Sequence, residues 1–346
     1  MRNKTDGIIV LGGHIQGLGI VRILGRHNIP SIIIDNSRFN LARHSKYCDK
    51  FYSLGKLNLI DLLNQFMTDN LYKNWVIFPT HDSHIEILSK NLSFLAEHFR
   101  ICTTSWNKIK IFFNKKNTYD LASSLGISIP NSYYPQSIED IPNYPIVFPC
   151  IIKPAIMHSF YSKAGKKVFY CANSKSLFSN YSKACKLIPP EEIIIQEVIP
   201  GYSENQYSVG VLMINGEVII SLAARRLRQH PPFFGNATTY AETIENKILE
   251  ETAAILLKAA DYTGICEVEF KYDKSSNEYK LLEVNPRTWK WHAIAEKANT
   301  PFLMTYYQFL TGQPYTSIRK FESASFRHFI TDFPVLLKSI LCGRYV

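Results

Sequence analysis

The chain has 346 residues, too many for one small hydrophobic core, so two or three packed units are expected. Hydrophobic residues make up 46% and charged residues 20%, the balance of a folded globule, and no charge-free apolar run is long enough to be read as a membrane-spanning helix. The net charge of +10 suits anionic partners, but no basic block or nucleic-acid module accompanies it, so nucleic acid is not expected and the excess is assigned to a general bias plus a cationic cleft.

At the N-terminus, Met1 to Lys4 and the apolar Ile8 to Leu11 faintly resemble a leader peptide, but Asp6, Gly12, Gly13, His14 and Gln16 interrupt the stretch too soon. Seven scattered cysteines without a C-x-x-C pair predict free thiols in a reducing cytosol and argue against a zinc site. Residues 8–11, 31–34 and 76–78 read as short buried strands, with helices over about 17–26, 59–69 and 83–98 between them. That alternation predicts a parallel sheet with right-handed crossovers. The glycine-rich turn from Gly12 to Gly19, with Asp35 ending the next strand, is also compatible with a nicotinamide dinucleotide, although such a turn alone is weak evidence. His14, Gln16, His81 and Asp82 fall in loops after these strands, where open α/β sheets bind ligands or where the residues simply cap.

A second unit begins near Phe113. A helix from Lys115 to Leu125 is closed by Gly126. Strands are predicted over 150–153, 167–171, 193–198, 207–214 and 217–222, with Asn215-Gly216 as a tight turn between the last two. A helix follows over 250–262. Residues 265–272 and 279–284 then flank a polar stretch and read as a β-hairpin. A register pairing Tyr272 with Lys280 sets Glu269 opposite Glu283 and Glu267 opposite Asn285. Facing carboxylates destabilise a sheet, and an offsetting divalent cation is expected. Carboxylates plus an amide suit a hard ion such as Mg²⁺ or Mn²⁺, and Arg287 follows as a fixed cation for a phosphate or carboxylate.

Taken in order, Lys115, the strand-end Lys153-Pro154, Gln196-Glu197-Val198-Ile199-Pro200-Gly201, Glu204, Glu269 and Glu283-Val284-Asn285-Pro286-Arg287 resemble the ATP-grasp superfamily. Gly264 to Phe270 and Glu283 to Arg287 look like carbamoyl phosphate synthetase and biotin carboxylase. Asn285 to His292 and Arg225 to Pro232 look closer to the D-aspartate ligase-like branch of carboxylate–amine ligases. The resemblance implies an α/β and α+β chain. A Rossmann-like domain spans 1–112, an ATP-grasp domain spans 113–312 (subdomains 113–200 and 201–312), and a helical tail covers 313–346. It implies ATP held by Lys115, Lys153, Gln196, Glu197, Ile199 and Glu204, and a metal on Glu269, Glu283 and Asn285. Arg287, Arg226 and Arg228 would then stand at the reaction centre. Lys116 competes with Lys115, and Glu204 reads almost as well as a plain loop acid. The implied chemistry is an acyl phosphate attacked by an amine, with release of ADP and phosphate.

Two departures stand out. The stretch from Ala155 to Gly165 has no glycine before position 165, where the family carries a glycine-rich flap, so Ser159, Ser162 or Lys163 would have to supply the capping contacts. Asn114 stands where Asp is common. Trp289, Trp291 and His292 read equally as walls of an acceptor pocket or as packing residues. The tail carries an apolar stripe, Phe329, Ile330, Phe333, Leu336, Leu337, Ile340 and Leu341, among Arg327, Lys338 and Arg344. It reads as a helix packed on the body and dispensable for chemistry, or as one that touches a membrane surface or a partner. The expected partners are a small-molecule carboxylate and amine, and a homodimer is allowed.

Overall fold

A computed structural model describes residues 6–37, 40–156, 160, 163–231, 237–317 and 321–341. Ser159 and Ser162 of the flap, residues 232–236 after the arginine-rich segment, and Arg344 lie outside the described residues, as do the side chains of Lys338 and Leu341.

Three sheets organise the chain. The first is parallel and five-stranded, in the order β3 (Lys50–Ser53), β2 (Ser31–Asp35), β1 (Ile8–Leu11), β4 (Val76–Pro79), β5 (Arg100–Ile101). Central β1 is apolar on both faces, as a doubly covered parallel strand must be. The sequence pattern missed β3 and β5, which are short edge strands without a continuous buried run. Asn58 caps the helix Leu59–Thr68 by accepting from the Asp61 N–H, and His14 caps Ile15–Gly25.

The four-stranded sheet runs β6 (Ser132–Tyr133), β9 (Ile193–Glu197), β7 (Cys150–Pro154), β8 (Phe169–Cys171). Helix Ser174–Cys185 covers it through Leu177, Tyr181 and Ala184, started by a reciprocal Asn173–Ser176 capping box. Residues 198–205 leave this sheet for the third, which is antiparallel. Its order is β14 (Glu278–Asn285), β13 (Gly264–Asp273), β10 (Gln206–Ile214), β11 (Glu217–His230), β12 (Ala237–Thr243), β15 (Ser325–Arg327).

The cores do not follow the linear order. Ile8 and Val10 of the parallel sheet, with Ile20 and Leu24 of the helix Ile15–Gly25, share one apolar cluster with Leu212, Leu222, Trp289 and Phe302, so the N-terminal unit is fused to the six-stranded sheet. Each such side chain contributes about 1.5–3 kcal/mol when fully buried. Trp289 lies on Gly210, where a Cβ would come within 2.3 Å of the indole. Helix Lys115–Ser124 precedes the four-stranded sheet, yet Ala122 packs with Leu256 and Val284 against the opposite face of the six-stranded one.

The C-terminal segment is built into the body. Strand β15 hydrogen-bonds along β12, and helix Phe329–Leu341 buries Asp332 and Val335 while exposing Phe329, Ile330, Phe333, Leu337 and Ile340. No helix among the described residues is long and apolar enough to cross a membrane.

Candidate active site

The β13–β14 hairpin sets the chemistry. Glu269 pairs with Glu283 and Glu267 with Asn285, as the facing-acid register requires. Nearer the turn the expected register fails: a bulge at Leu282 pairs Tyr272 with Tyr279 and Lys271 with Lys280. The freed Leu282 carbonyl accepts the Tyr119 hydroxyl at 2.7 Å, tying helix Lys115–Ser124 to the hairpin.

Protein cations already offset the facing acids. Arg226 Nη2 lies 2.9 Å from Glu269, and Lys115 Nζ lies 3.2 Å from Glu283. Asn285 Nδ2 donates to Glu267 at 3.3 Å and to Glu269 at 3.1 Å, and Trp291 Nε1 donates to Glu267 at 2.8 Å. The repulsion therefore needs no metal for relief in this state. Burial would raise the Glu283 carboxyl, but Lys115, Lys167 and Lys153 hold it far below the usual range. Glu267 goes the other way, pushed up by burial and by Glu269.

Lys115 rather than Lys116 faces the acids; Lys116 turns to the Tyr134 ring. Asn114 caps the helix by accepting the Lys116 N–H, a role that Asp would fill equally. Lys153 is 7% exposed and donates to Tyr119 at 2.7 Å, so it stands behind the cavity wall. Burial and Lys115 lower its pKa to about 7. Lys167, read from sequence only as the start of a strand, lines the cavity and acts on Glu283 and Glu269. Its place just after the flap was the available signal. Lys163 Nζ donates to the Leu187 carbonyl at 3.0 Å, turned to the body of its own sheet.

The arginine-rich segment is strand, not water-exposed loop, and this divides its members. Arg226 reaches the cavity. Arg225 donates from Nε to the Glu204 carbonyl. Arg228, expected at the reaction centre, is diverted by irregular pairing between β11 and β12 and closes a two-pronged pair with Asp332, at 2.8 and 2.7 Å, beneath the C-terminal helix. Arg287 lines the cavity, with Nε 2.6 Å from Asp82 of the parallel sheet's loop.

The expected nucleotide-hinge residues sit together at the passage between the two antiparallel sheets. Gln196 Nε2 donates to Ser132 Oγ, Glu197 accepts from Lys280 at 2.7 Å, and Lys271 donates to the carbonyls of Ile199 and Gly201. Glu204 lies on the one-turn helix Ser203–Asn205 that leads into β10.

A cavity of about 430 Å³ gathers Lys115, Lys167, Arg226, Glu269, Glu283 and Arg287 with Gln16, His81 and Asp82 from the starts of the helices that follow β1 and β4, a volume typical of small-molecule sites. Trp289 and Trp291 both wall it and pack in the shared core. His14 stays neutral: burial and His81 lower it to about 3. The nicotinamide reading loses its key acid, because Asp35 accepts the Gly13 and Ser37 N–H groups.

Residues 136–314 match the family described as carbamoyl-phosphate synthase L chain, ATP binding domain. Among solved structures, biotin carboxylase from Campylobacter jejuni superposes with a TM-score of 0.71 at 18% identity, covering 91% of this chain and 73% of that one. The L-amino acid ligase from Bacillus licheniformis gives 0.71 at 14%, covering 93% and 79%. The biotin carboxylase domain dimer of Hydrogenobacter thermophilus 2-oxoglutarate carboxylase, in complex with MgADP, ADP and bicarbonate, gives 0.71 at 15%, covering 92% and 73%. At these identities the likeness shows the fold.

Proposed function

The chain belongs to the carbamoyl-phosphate synthase L chain ATP-binding domain family, and from that premise we infer that it is an ATP-grasp ligase that uses ATP to activate a carboxylate. The observation that carries the reading is one cavity in which Lys115 and Lys167 meet Glu283 beside Glu269, Asn285, Arg226 and Arg287. The finer proposal is that the activated acid is an acyl phosphate, that an amine attacks it to form an amide or peptide-like bond, and that ADP and phosphate leave. A carboxylate alone is a poor acylating agent because its leaving group would be oxide, and phosphorylation replaces that group.

Glu269, Glu283 and the Asn285 amide oxygen are hard oxygen donors and fit Mg²⁺. Among the described residues no group of three or more His, Cys, Asp or Glu side chains is arranged to hold an ion alone, which suits one that completes its shell with phosphate oxygens and water. Such an ion, when bound, supplies neutralisation of phosphate charge. Lys115 would contact the phosphates, and Lys153 would reach them by leaving the Tyr119 hydroxyl. Gln196, Glu197 and Ile199 would border the adenine, and Glu204 the ribose. Arg287, paired with Asp82, would hold charge developing on the reacting group and Arg226 would orient the carboxylate, where positioning supplies much of the barrier reduction. Arg228 is left with a structural role.

The parallel N-terminal sheet supports a Rossmann-like reading of that unit. The described cysteines are all free thiols, which favours a cytosolic enzyme. The MgADP-bound Hydrogenobacter dimer supports Mg²⁺ with nucleotide, and assembly as a homodimer.

The test uses a pool of carboxylates carrying ¹⁸O and a pool of amines. One label should appear in the released phosphate, together with ADP. Release of pyrophosphate, or of phosphate without label, would refute the acyl-phosphate route.

A further inference from the structure

The cavity holds one more cation that none of this chemistry uses. Lys290 lines it between Trp289 and Trp291. Its Nζ reaches Thr331 Oγ1 at 3.4 Å, a distance at the margin of hydrogen bonding. Among the described residues no Asp or Glu lies within ion-pair distance of it. The acid that acts on it, Asp332, is already closed on Arg228. The ammonium therefore faces the cavity partly desolvated and beside a second cation. Burial first, and then Arg226 by more than Asp332 restores, lower its pKa to about 8. A desolvated charge without a counter-ion is costly, so the arrangement is completed by an anion entering from the cavity. Thr331, on the C-terminal helix, in turn hydrogen-bonds His328 Nδ1 at 2.6 Å, so that helix borders the lysine from outside the cavity.

We propose that Lys290, beside Arg226, forms a subsite for a second acid group, carried by a substrate in addition to the carboxylate that is activated. The proposal rests on the ligase reading above and narrows it: one of the two substrates carries a further carboxylate or phosphate-type anion. It also gives the C-terminal helix a part in substrate choice, by bordering the lysine from outside the cavity.

The test is calorimetric binding of propionate, of malonate, succinate and glutarate, and of 3-phosphonopropionate, to wild type, Lys290→Met and Lys290→Arg. Wild type should bind the best dicarboxylate at least about tenfold more tightly than propionate, the scale of one charged hydrogen bond. Lys290→Met should lose that preference, and Lys290→Arg should keep most of it. Tighter binding of 3-phosphonopropionate than of any dicarboxylate would assign the natural group as a phosphate, and weaker binding as a carboxylate. Equal binding of mono- and diacids by wild type, no binding of either, or an undiminished preference in Lys290→Met would overturn the subsite. ATP titrated into the same proteins keeps the two readings apart. Lys290→Met should bind ATP as wild type does. A wild type that ignores ATP would fell the ligase reading and leave the anion subsite to its own titrations.

Discussion

Asp332 is the perturbation that best separates a decorative tail from an integral one. Its carboxylate is 2% exposed and the Arg228 side chain 5%, and the two share parallel contacts of 2.8 and 2.7 Å. Asp332→Ala leaves the guanidinium buried without its counter-charge, a change that costs about 3–5 kcal/mol. The Tyr240 ring, 4.6 Å from the guanidinium carbon, is in contact in both forms and cancels from the difference; at the low end of that range a loss of about 3 kcal/mol is expected. At about 2 °C per kcal/mol for a large domain, the melting temperature should fall by about 6 °C. Burial would raise the Asp332 carboxyl, but hydrogen bonds from Arg228 bring it below its ordinary value. A depressed carboxylate stabilises above its unfolded pKa, near 4, and that contribution is lost as pH falls through the folded value, so the gap between variant and wild type should close on acidification. Paired urea and thermal melts at neutral and acid pH measure both. The double variant Arg228→Met with Asp332→Leu should recover most of the loss, since apolar replacement of a buried pair is often neutral or better. A single-variant cost below about 1 kcal/mol, or a double variant worse than the single, would refute the reasoning. The same geometry reverses the expectation that the tail is dispensable: truncation after Gly312 would orphan Arg228 and uncover the edge of β12.

Glu283→Gln should abolish phosphoryl transfer. It should also lower the stability of the ligand-free protein by about 1–3 kcal/mol, because Lys115, Lys153 and Lys167 lose the charge that holds them together. Facing carboxylates alone would predict a gain, so a urea titration showing equal or greater stability would refute the lysine-clamp account. The clamp's contribution is present above the unfolded carboxyl pKa, near 4.3, and fades below it. Lys153, held at about 7, should take up a proton when a nucleotide's phosphates approach at pH 8. Calorimetry of MgATP binding in two buffers of different ionisation enthalpy reads that uptake, and Lys153→Met should remove it. Zero net uptake by wild type would place Lys153 away from the phosphates.

The local code in this chain was strong where a single pattern sufficed. Alternation in the two arms of the β13–β14 hairpin put Glu269 opposite Glu283, and Asn215-Gly216 marked the separate turn between β10 and β11, because strand periodicity and left-handed turn residues are properties of a few adjacent positions. The ordered set from Lys115 to Arg287 pointed to the fold through its resemblance to the ATP-grasp superfamily, because its motifs are short runs whose order is visible in the sequence. What needed the tertiary structure were the partners. The bulge at Leu282 answers to Tyr119, some 160 residues earlier, and irregular pairing between β11 and β12 turned Arg228 from the cavity toward an aspartate 104 residues later. Lys290 carries no local signature, and Lys167 and Asp82 show only their places after the flap and after a strand, since a charge acquires its role from what lies across the cavity. Composition and periodicity determine which residues are buried and on which face. Which charges meet is decided by how three sheets pack, a long-range choice that no stretch of this sequence contains by itself.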